Sequence, residues 1–375
     1  MIIGVPKETH RHEHRVGLTP FGVRRLTQQG HTVVVETGAG EAGHFTDRNF
    51  QEAGAQIVYS PEEAYKRGDI VCRVGSLSGD ELNLLRPELV ICGFHHLAVM
   101  PRERVEKLMA MKATLIGYEV IRDQHGDLPV LVPISEMAGQ MAVQIAAHCL
   151  YKEAGGRGIL LGNVAGVPPP TVVILGAGTV GRAAARQALA SGAHVIVMDA
   201  DLVRLQSVHR ESKGRIVTCV PIAERLVKYT AIADALIGAI LIPGARAPFV
   251  ITEEMVKGMK SGSVIVDVSI DQGGCVETSR PTTLDSPTFI VHDVVHYCVP
   301  NMTASIPRTT SRALANASHP FLVEIAGKGV DGALRDDPGL AQGVYLYRGE
   351  MVNEKVGSAL KMPAKQLTQL LRTDK

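Results

Sequence analysis

The chain has 375 residues, 45% of them apolar, with 39 Lys+Arg against 38 Asp+Glu. That length fits two domains with substantial cores, and the balanced charge gives no electrostatic ground for a nucleic-acid or membrane-surface partner. Trp is absent and aromatics make up 4%, which speaks against base-stacking platforms.

The N-terminus, "MIIGVPKETHRHEHR", turns charged after a few residues and is too polar for a signal peptide. In the first third, "MIIGVP", "HTVVVET", "DIVCRVG", "LVICGF" and "ATLIGYEVI" read as strands, with amphipathic pieces such as "PFGVRRLTQQG" between them. This alternation predicts the α/β class with a parallel sheet. At 135–152, "SEMAGQMAVQIAAHCLYK" reads as a helix with Ser135 as its N-cap. Its Met137, Met141, Ile145 and Cys149 form one buried face, which is ordinary core packing.

A Gly/Pro-rich loop, "EAGGRGILLGNVAGVPPP", precedes a new unit, "TVVILGAGTVGRAAARQALASGAHVIVMDAD". Further strands are "ALIGAILI", "SVIVDVSID" and "TFIVHD"; from about residue 304 the pattern is helical, ending in "PAKQLTQLLRT". The longest apolar run, "ALIGAILIPG", is well short of the ~18 residues a membrane span needs. The six cysteines are scattered and form no C-x-x-C pair, which fits reduced thiols in a cytoplasmic protein.

Two stretches share the spacing G-x-G-x-x-G behind a β-branched run: "GAGEAG" at 38–43 and "GAGTVG" at 176–181. A dinucleotide turn also needs a helix starting at the turn, to face the pyrophosphate, and an acid ending the next strand, to hold the ribose. The second stretch has both. "RAAARQALASG" follows Gly181 at once, and "HVIVMD" ends in Asp199, whose charge repels a 2′-phosphate and so favours NAD over NADP. After the first stretch the helix starts late, capped by Asp47, and "QIVYS" ends without an acid. Gly38, Gly40 and Gly43 are therefore read as a tight loop, and Gly176, Gly178, Thr179, Val180 and Gly181 as the single cofactor turn.

With that turn placed, "IGVPKE", "RVGLTP", "PISEMAGQMA", "GGRGILLG", "AILIPGARAP", "VDVSIDQGG" and "YCVPNMTASIPRT" occur in order along the chain. Over roughly residues 1–345 the sequence resembles the alanine dehydrogenase family, which is related to the NAD-binding subunit of proton-translocating transhydrogenase. The resemblance implies two Rossmann-like domains, parallel doubly wound sheets separated by a cleft. Residues 1–134 plus 304–375 would form the substrate domain and 135–303 the NAD-binding domain. It also implies a homohexamer that reversibly deaminates a small L-amino acid to its 2-oxo acid, ammonia and NADH.

By the same resemblance Arg15 grips the substrate carboxylate, and His96 and Asp271 are the catalytic pair. Ser135 lies near the nicotinamide, and Asp199 and Arg204 at the adenosine end. Ile240, Leu241, Val268, Ser269, Ile270, Val299, Asn301 and Met302 line the ring site, and Arg280 also matches. The family normally reads Lys-Val-Lys-Glu-Pro where this chain reads "RVGSL", so the second lysine, a substrate contact, is Gly75. His95 stands where the family usually has Leu. Three outcomes are open. Arg73 or His95 replaces the lost charge; the freed volume takes a larger or differently charged substrate; or only NAD binding is kept. An imine reductase or reductive aminase on the same scaffold and a non-catalytic NAD-binding protein are the alternatives. No metal is expected: the Glu and His found four apart in some members are here Glu324 and Lys328, and His10, His12 and His14 read as a polar loop.

Overall fold

The β-branched runs of the first third form short strands, since side chains stiff at χ1 pack well on a pleated surface. They are β1 (Ile2–Val5), β2 (Thr32–Glu36), β3 (Gln56–Val58), β4 (Ile70–Cys72), β5 (Val90–Gly93) and β6 (Thr114–Gly117). Seven more follow: β7 (Thr171–Leu175), β8 (His194–Met198), β9 (Val217–Cys219), β10 (Ala235–Gly238), β11 (Val264–Asp267), β12 (Thr288–Val291) and β13 (Val294–Tyr297). β14 (Val344–Tyr347) and β15 (Glu350–Met351) close the chain's strand content. The computed structural model describes residues 1–241 and 248–371. They fall into two units, Met1–Ile134 with Ala304–Lys375, and Ser135–Thr303.

The first unit holds an eight-stranded sheet in the order β15-β14-β6-β5-β4-β1-β2-β3. β1 to β6 pair in parallel, and β14 and β15 add in antiparallel fashion. The second unit's seven-stranded sheet runs β12-β13-β11-β10-β7-β8-β9, parallel except for edge strand β12. Counted from β7, its parallel strands follow the 3-2-1-4-5-6 order of a doubly wound dinucleotide fold, with the switch point between β7 and β10. The fold is α/β throughout, and each sheet is buried on both faces, as parallel sheets must be. No helix among the described residues is long and apolar enough to cross a membrane.

Several local expectations change. The helix expected from Ser135 starts three residues earlier and spans Val132–Cys149, so Ser135 lies inside it. Pro133 falls in its first turn, where a missing N–H costs nothing. Asp47 does not cap its helix; Thr46 does, accepting from the Asn49 amide. The tail is not uniformly helical: β14 joins β6, and the last helix is only Leu367–Leu370. The helix Pro307–Asp336 is broken by Gly329 at φ 75.

Candidate active site

In both units the chemistry-bearing residues gather where strands end. Register pairs Cys72 with Cys92 and Gly93 with Gly117, so β4, β5 and β6 finish level, beside β1. Just past those ends stand Glu8, Arg73, His95, His96 and Glu119. Open α/β sheets bind ligands at this carboxyl edge.

Arg73 is only 1% exposed and all five of its donors are engaged. Nε donates to the Gly75 carbonyl at 2.7 Å, Nη1 to Tyr65 Oη at 2.7 Å and Glu81 Oε1 at 2.9 Å, and Nη2 to Glu8 Oε2 at 2.9 Å and the Ser76 carbonyl at 3.1 Å. Burial alone would lower its pKa, but Glu8, Tyr65 and Glu81 hold it above the usual arginine value. Burial raises the Glu8 pKa against the pull of Arg73, whereas Glu81 is held below the usual carboxylate range by Arg73 despite its own burial. An arginine so committed has no donor left for a substrate, which removes Arg73 as a substitute for the absent lysine.

His95 is removed on different grounds. Its ring turns inward, with Nε2 3.1 Å from the Ile91 carbonyl and Nδ1 buried without a hydrogen-bond partner. Burial pushes its pKa from the ordinary 6.5 down to about 4. A ring that stays neutral at physiological pH and faces the core supplies no charge to a ligand.

Gly75 itself is not a backbone requirement. Its φ lies outside the left-handed region, and a Cβ there would meet only Glu8 Oε2 at 3.5 Å and Glu13 Oε2 at 4.0 Å, ordinary contact distances. Arg15, 4% exposed, grips Glu13 through a fork, with Nε to Oε1 at 2.7 Å and Nη2 to Oε2 at 2.5 Å. Its segment is held against β4 by Gly17, where a Cβ would lie 2.4 Å from the Cys72 carbonyl oxygen. His96, by contrast, is exposed, and its ring stacks on Phe94 at 6.3 Å between centroids.

The second unit's turn has a different geometry. Gly176 sits at φ 102, and a Cβ on it would lie 2.4 Å from the Ala239 carbonyl oxygen. A Cβ on Gly181 would lie 1.8 Å from the Gly176 carbonyl oxygen, so only glycine lets the helix come this close to the strand. At Gly178 a Cβ would meet nothing within 4 Å. Gly178 is also the N-cap of the helix Thr179–Ala190 and brings no side chain to its amides. The turn thus leaves open space in front of helix amides that attract an anion. Asp199 accepts from the Ala177 amide at 2.6 Å and from the Asp201 amide at 2.8 Å, with Arg204 at 3.9 Å.

At the neighbouring strand ends, Ser269 Oγ accepts from the Ile240 amide at 2.9 Å. Asp271 Oδ1 accepts from the Asn301 amide at 2.8 Å, which brings two expected site residues together. Val268 packs partly buried against the core. Ile270, Val299 and Met302 are each 5% exposed or less. Their side chains are buried, so any contact they offer a ligand comes mainly through the backbone. Arg280 lies over the Phe289 ring at 4.3 Å. Leu241 is half exposed, and residues 242–247 of "AILIPGARAP" lie outside the described residues.

The first glycine stretch is closed by its own surroundings. Asp47 accepts from the Gly38 amide at 2.9 Å and the Thr37 hydroxyl at 2.6 Å, and a Cβ on Gly40 would lie 2.8 Å from Phe45 and Phe50. Glu324 and Lys328 form an ion pair at 2.8 Å, and no group of three or more candidate metal ligands occurs among the described residues.

Comparison with known proteins matches this geometry to a family. Models of the N-terminal and C-terminal domains of "Alanine dehydrogenase/PNT" match residues 4–138 and 142–354. The chain belongs to the alanine dehydrogenase/PNT family. It is 43% identical over 363 residues to an alanine dehydrogenase of Mycobacterium tuberculosis, covering 97% of this chain and 98% of that one. A solved L-alanine dehydrogenase superposes with a TM-score of 0.92 at 42% identity, over 96% of this chain and 99% of that one. A transhydrogenase from Sinorhizobium meliloti gives 0.78 at 25% identity, over 94% and 99%.

Glu8, Glu13, Glu81, Glu119 and Tyr345 are the polar residues that sequence reasoning missed. Glu8 had a readable signal, an acid just past the predicted strand "MIIGVP"; Glu119 was hidden inside the predicted strand "ATLIGYEVI", which in the structure ends at Gly117.

Proposed function

We propose that this chain is an NAD-dependent amino-acid dehydrogenase of the alanine dehydrogenase type, converting a small L-amino acid and water reversibly to a 2-oxo acid and ammonia. The observation that carries this reading is the open glycine turn with Asp199 bonded to its Ala177 amide, in a chain 43% identical to an alanine dehydrogenase across nearly its whole length. NAD, when bound, supplies the hydride acceptor.

The residues present fit that group. The helix amides after Gly178 would hold the pyrophosphate, and Asp199 the adenosine ribose, with Arg204 beside it. Ser135, Ile240, Leu241, Ser269, Asn301 and Arg280 would complete the nicotinamide side. In the first unit, Arg15 would take the substrate carboxylate in competition with Glu13, which occupies its Nε–Nη2 edge. The exposed imidazole of His96 would relay protons at its ring nitrogens as water adds and ammonia leaves. Asp271, tied to the Asn301 amide, would orient the groups of the second unit.

With Arg73 and His95 both committed to the core, the position of the family lysine is left to Gly75. The reading therefore includes a pocket that accepts a substrate larger than alanine. NADH oxidation with ammonia and a panel of 2-oxo acids tests this, with wild type and Gly75→Lys in parallel. Turnover by wild type, with Gly75→Lys raising kcat/KM for pyruvate by about tenfold or more, is expected, since a charged contact is worth ~1.5–3 kcal/mol. Tight NADH binding without turnover of any member of the panel would sink the dehydrogenase assignment. We infer further a cytoplasmic homo-oligomer, a hexamer by family, which light scattering checks.

A further inference from the structure

His96 is not a glycine, yet its backbone lies at φ 47, ψ 42. Left-handed backbone in an ordinary residue costs roughly 1–2 kcal/mol and persists only where the surroundings impose it. The surroundings here are specific. Glu119 Oε1 accepts from two consecutive amides, His95 at 3.1 Å and His96 at 2.7 Å, and from the Tyr345 hydroxyl at 3.0 Å. One carboxylate oxygen thus pins the turn that sends the His95 ring into the core and leaves the His96 ring outside. The other oxygen, Oε2, is buried with no hydrogen-bond partner among the described residues.

Tyr345 comes from β14, far along the chain, and its ring is seated by Gly117. A Cβ at 117 would lie 2.2 Å from the ring. Burial, and then the Glu119 charge, raise the Tyr345 pKa, so the hydroxyl keeps its proton and remains a donor. The ring of Phe94 completes the seat, stacked on His96 and edge-on to Tyr118 at 5.7 Å.

We propose that Glu119 and Tyr345 are positioning residues that hold His96 in its left-handed turn and so aim its imidazole. This rests on the reading of His96 as the residue that handles protons. The brace runs from Gly117 and Tyr345 through one oxygen of Glu119 to the His96 amide, and it acts through the backbone of His96.

The test is a double-mutant cycle read by steady-state kinetics. Glu119→Ala is expected to lower kcat by about 100-fold, the scale of a catalytic group displaced by about an ångström. NADH affinity should hold. Glu119→Gln, which keeps an acceptor oxygen, should recover most of that loss. Tyr345→Phe should lower kcat several-fold, roughly the value of one hydrogen bond. In a His96→Ala background, adding Glu119→Ala should change kcat less than about twofold, because the brace acts through the ring already removed. Losses that multiply in the double variant, or that fall on NADH affinity, would overturn the proposal. The backbone at His96 in a crystal structure of Glu119→Gln or Glu119→Ala gives an activity-independent answer. A φ moved out of the left-handed region in the alanine variant but kept in the glutamine variant supports the brace, and an unmoved φ in both rejects it. An inactive wild type with an intact brace would discredit the dehydrogenase reading alone.

Discussion

Residues 38–43 and 176–181 carry the same glycine spacing behind the same kind of strand, yet they end as opposites. The first is stopped with side chains: Asp47 takes the Gly38 amide, and Phe45 and Phe50 fill the space over Gly40. The second leaves its middle glycine facing nothing within 4 Å and its helix without a side-chain cap. The two units extend this contrast. In the first, Arg73 finds five partners within its own chain, and Arg15 finds Glu13. In the second, the helix after Gly178 starts without a side-chain cap and with open space beside it, where an anion can approach its amides. A glycine motif becomes a binding site through what is missing around it.

The largest effect that sharpens this contrast is expected at Gly181. A Cβ 1.8 Å from a carbonyl oxygen forces the helix away from β7. Gly181→Ala should therefore abolish NADH binding, measured by fluorescence titration, and lower the melting temperature. If the variant binds NADH normally, the close helix–strand approach is not what shapes the turn.

The next effect lies in the closed unit. His95 has a folded pKa of about 4 against an ordinary 6.5. The folded state therefore binds fewer protons than the unfolded one. Its contribution is fully present above pH 6.5 and drains away as pH falls toward 4. At ~1.4 kcal/mol per pKa unit this is about 3 kcal/mol at most. Denaturant titrations between pH 7 and 4.5 should show the first unit weakening, and His95→Leu should flatten the profile. Equal slopes in both proteins would mean that other groups set the acid limit.

Much of this was legible in advance because the decisive signals were local. Strand–turn–helix–strand around 171–199 occupies consecutive residues, and a β-branched run, three glycines and one acid carry it. What was not legible depended on an unusual turn or on partners distant in sequence. β13 was missed because the turn before it uses His292 and Asp293 at φ 50 and 61, where Asn-Gly is the readable signal. β14 was missed because four residues, "VYLY", pair with β6 more than two hundred positions earlier. The resemblance supplied Arg73 and His95 as stand-ins for a lysine. Only burial and donor counts could show that one is fully paired and the other faces the core. Glu119 lay inside the predicted strand "ATLIGYEVI", and its importance comes from accepting the His96 amide and the Tyr345 hydroxyl at once.

The contrast also predicts that a side chain placed on each middle glycine will fail in a different way. Gly178→Val should leave the melting temperature nearly unchanged, since its Cβ meets nothing. It should weaken NADH binding about 100-fold, or ~2.7 kcal/mol, by filling the pyrophosphate's place. Gly40→Val should do the reverse, destabilising the first unit by roughly 1–3 kcal/mol through overpacking against Phe45 and Phe50 while leaving NADH affinity alone. Interchanged outcomes would break the comparison outright.

The smallest effect separates the two aspartates that close these turns. Asp199 accepts an amide from its turn, and so does Asp47. An asparagine keeps one acceptor oxygen at either position, so the amide of the turn keeps its acceptor while the charge and the second accepted hydrogen bond are lost. At position 47 charge serves nothing beyond the loop, and Asp47→Asn should leave the NADH and NADPH affinities in their wild-type ratio. At position 199 the carboxylate stands 3.9 Å from Arg204 at the end of β8. Asp199→Asn removes the repulsion of a 2′-phosphate and leaves Arg204 to attract it. The preference for NADH over NADPH should fall by about tenfold, or ~1.4 kcal/mol, with most of the change in NADPH affinity. If the ratio stays put while both affinities drop together, Asp199 is a brace like Asp47, and the nucleotide choice is made elsewhere.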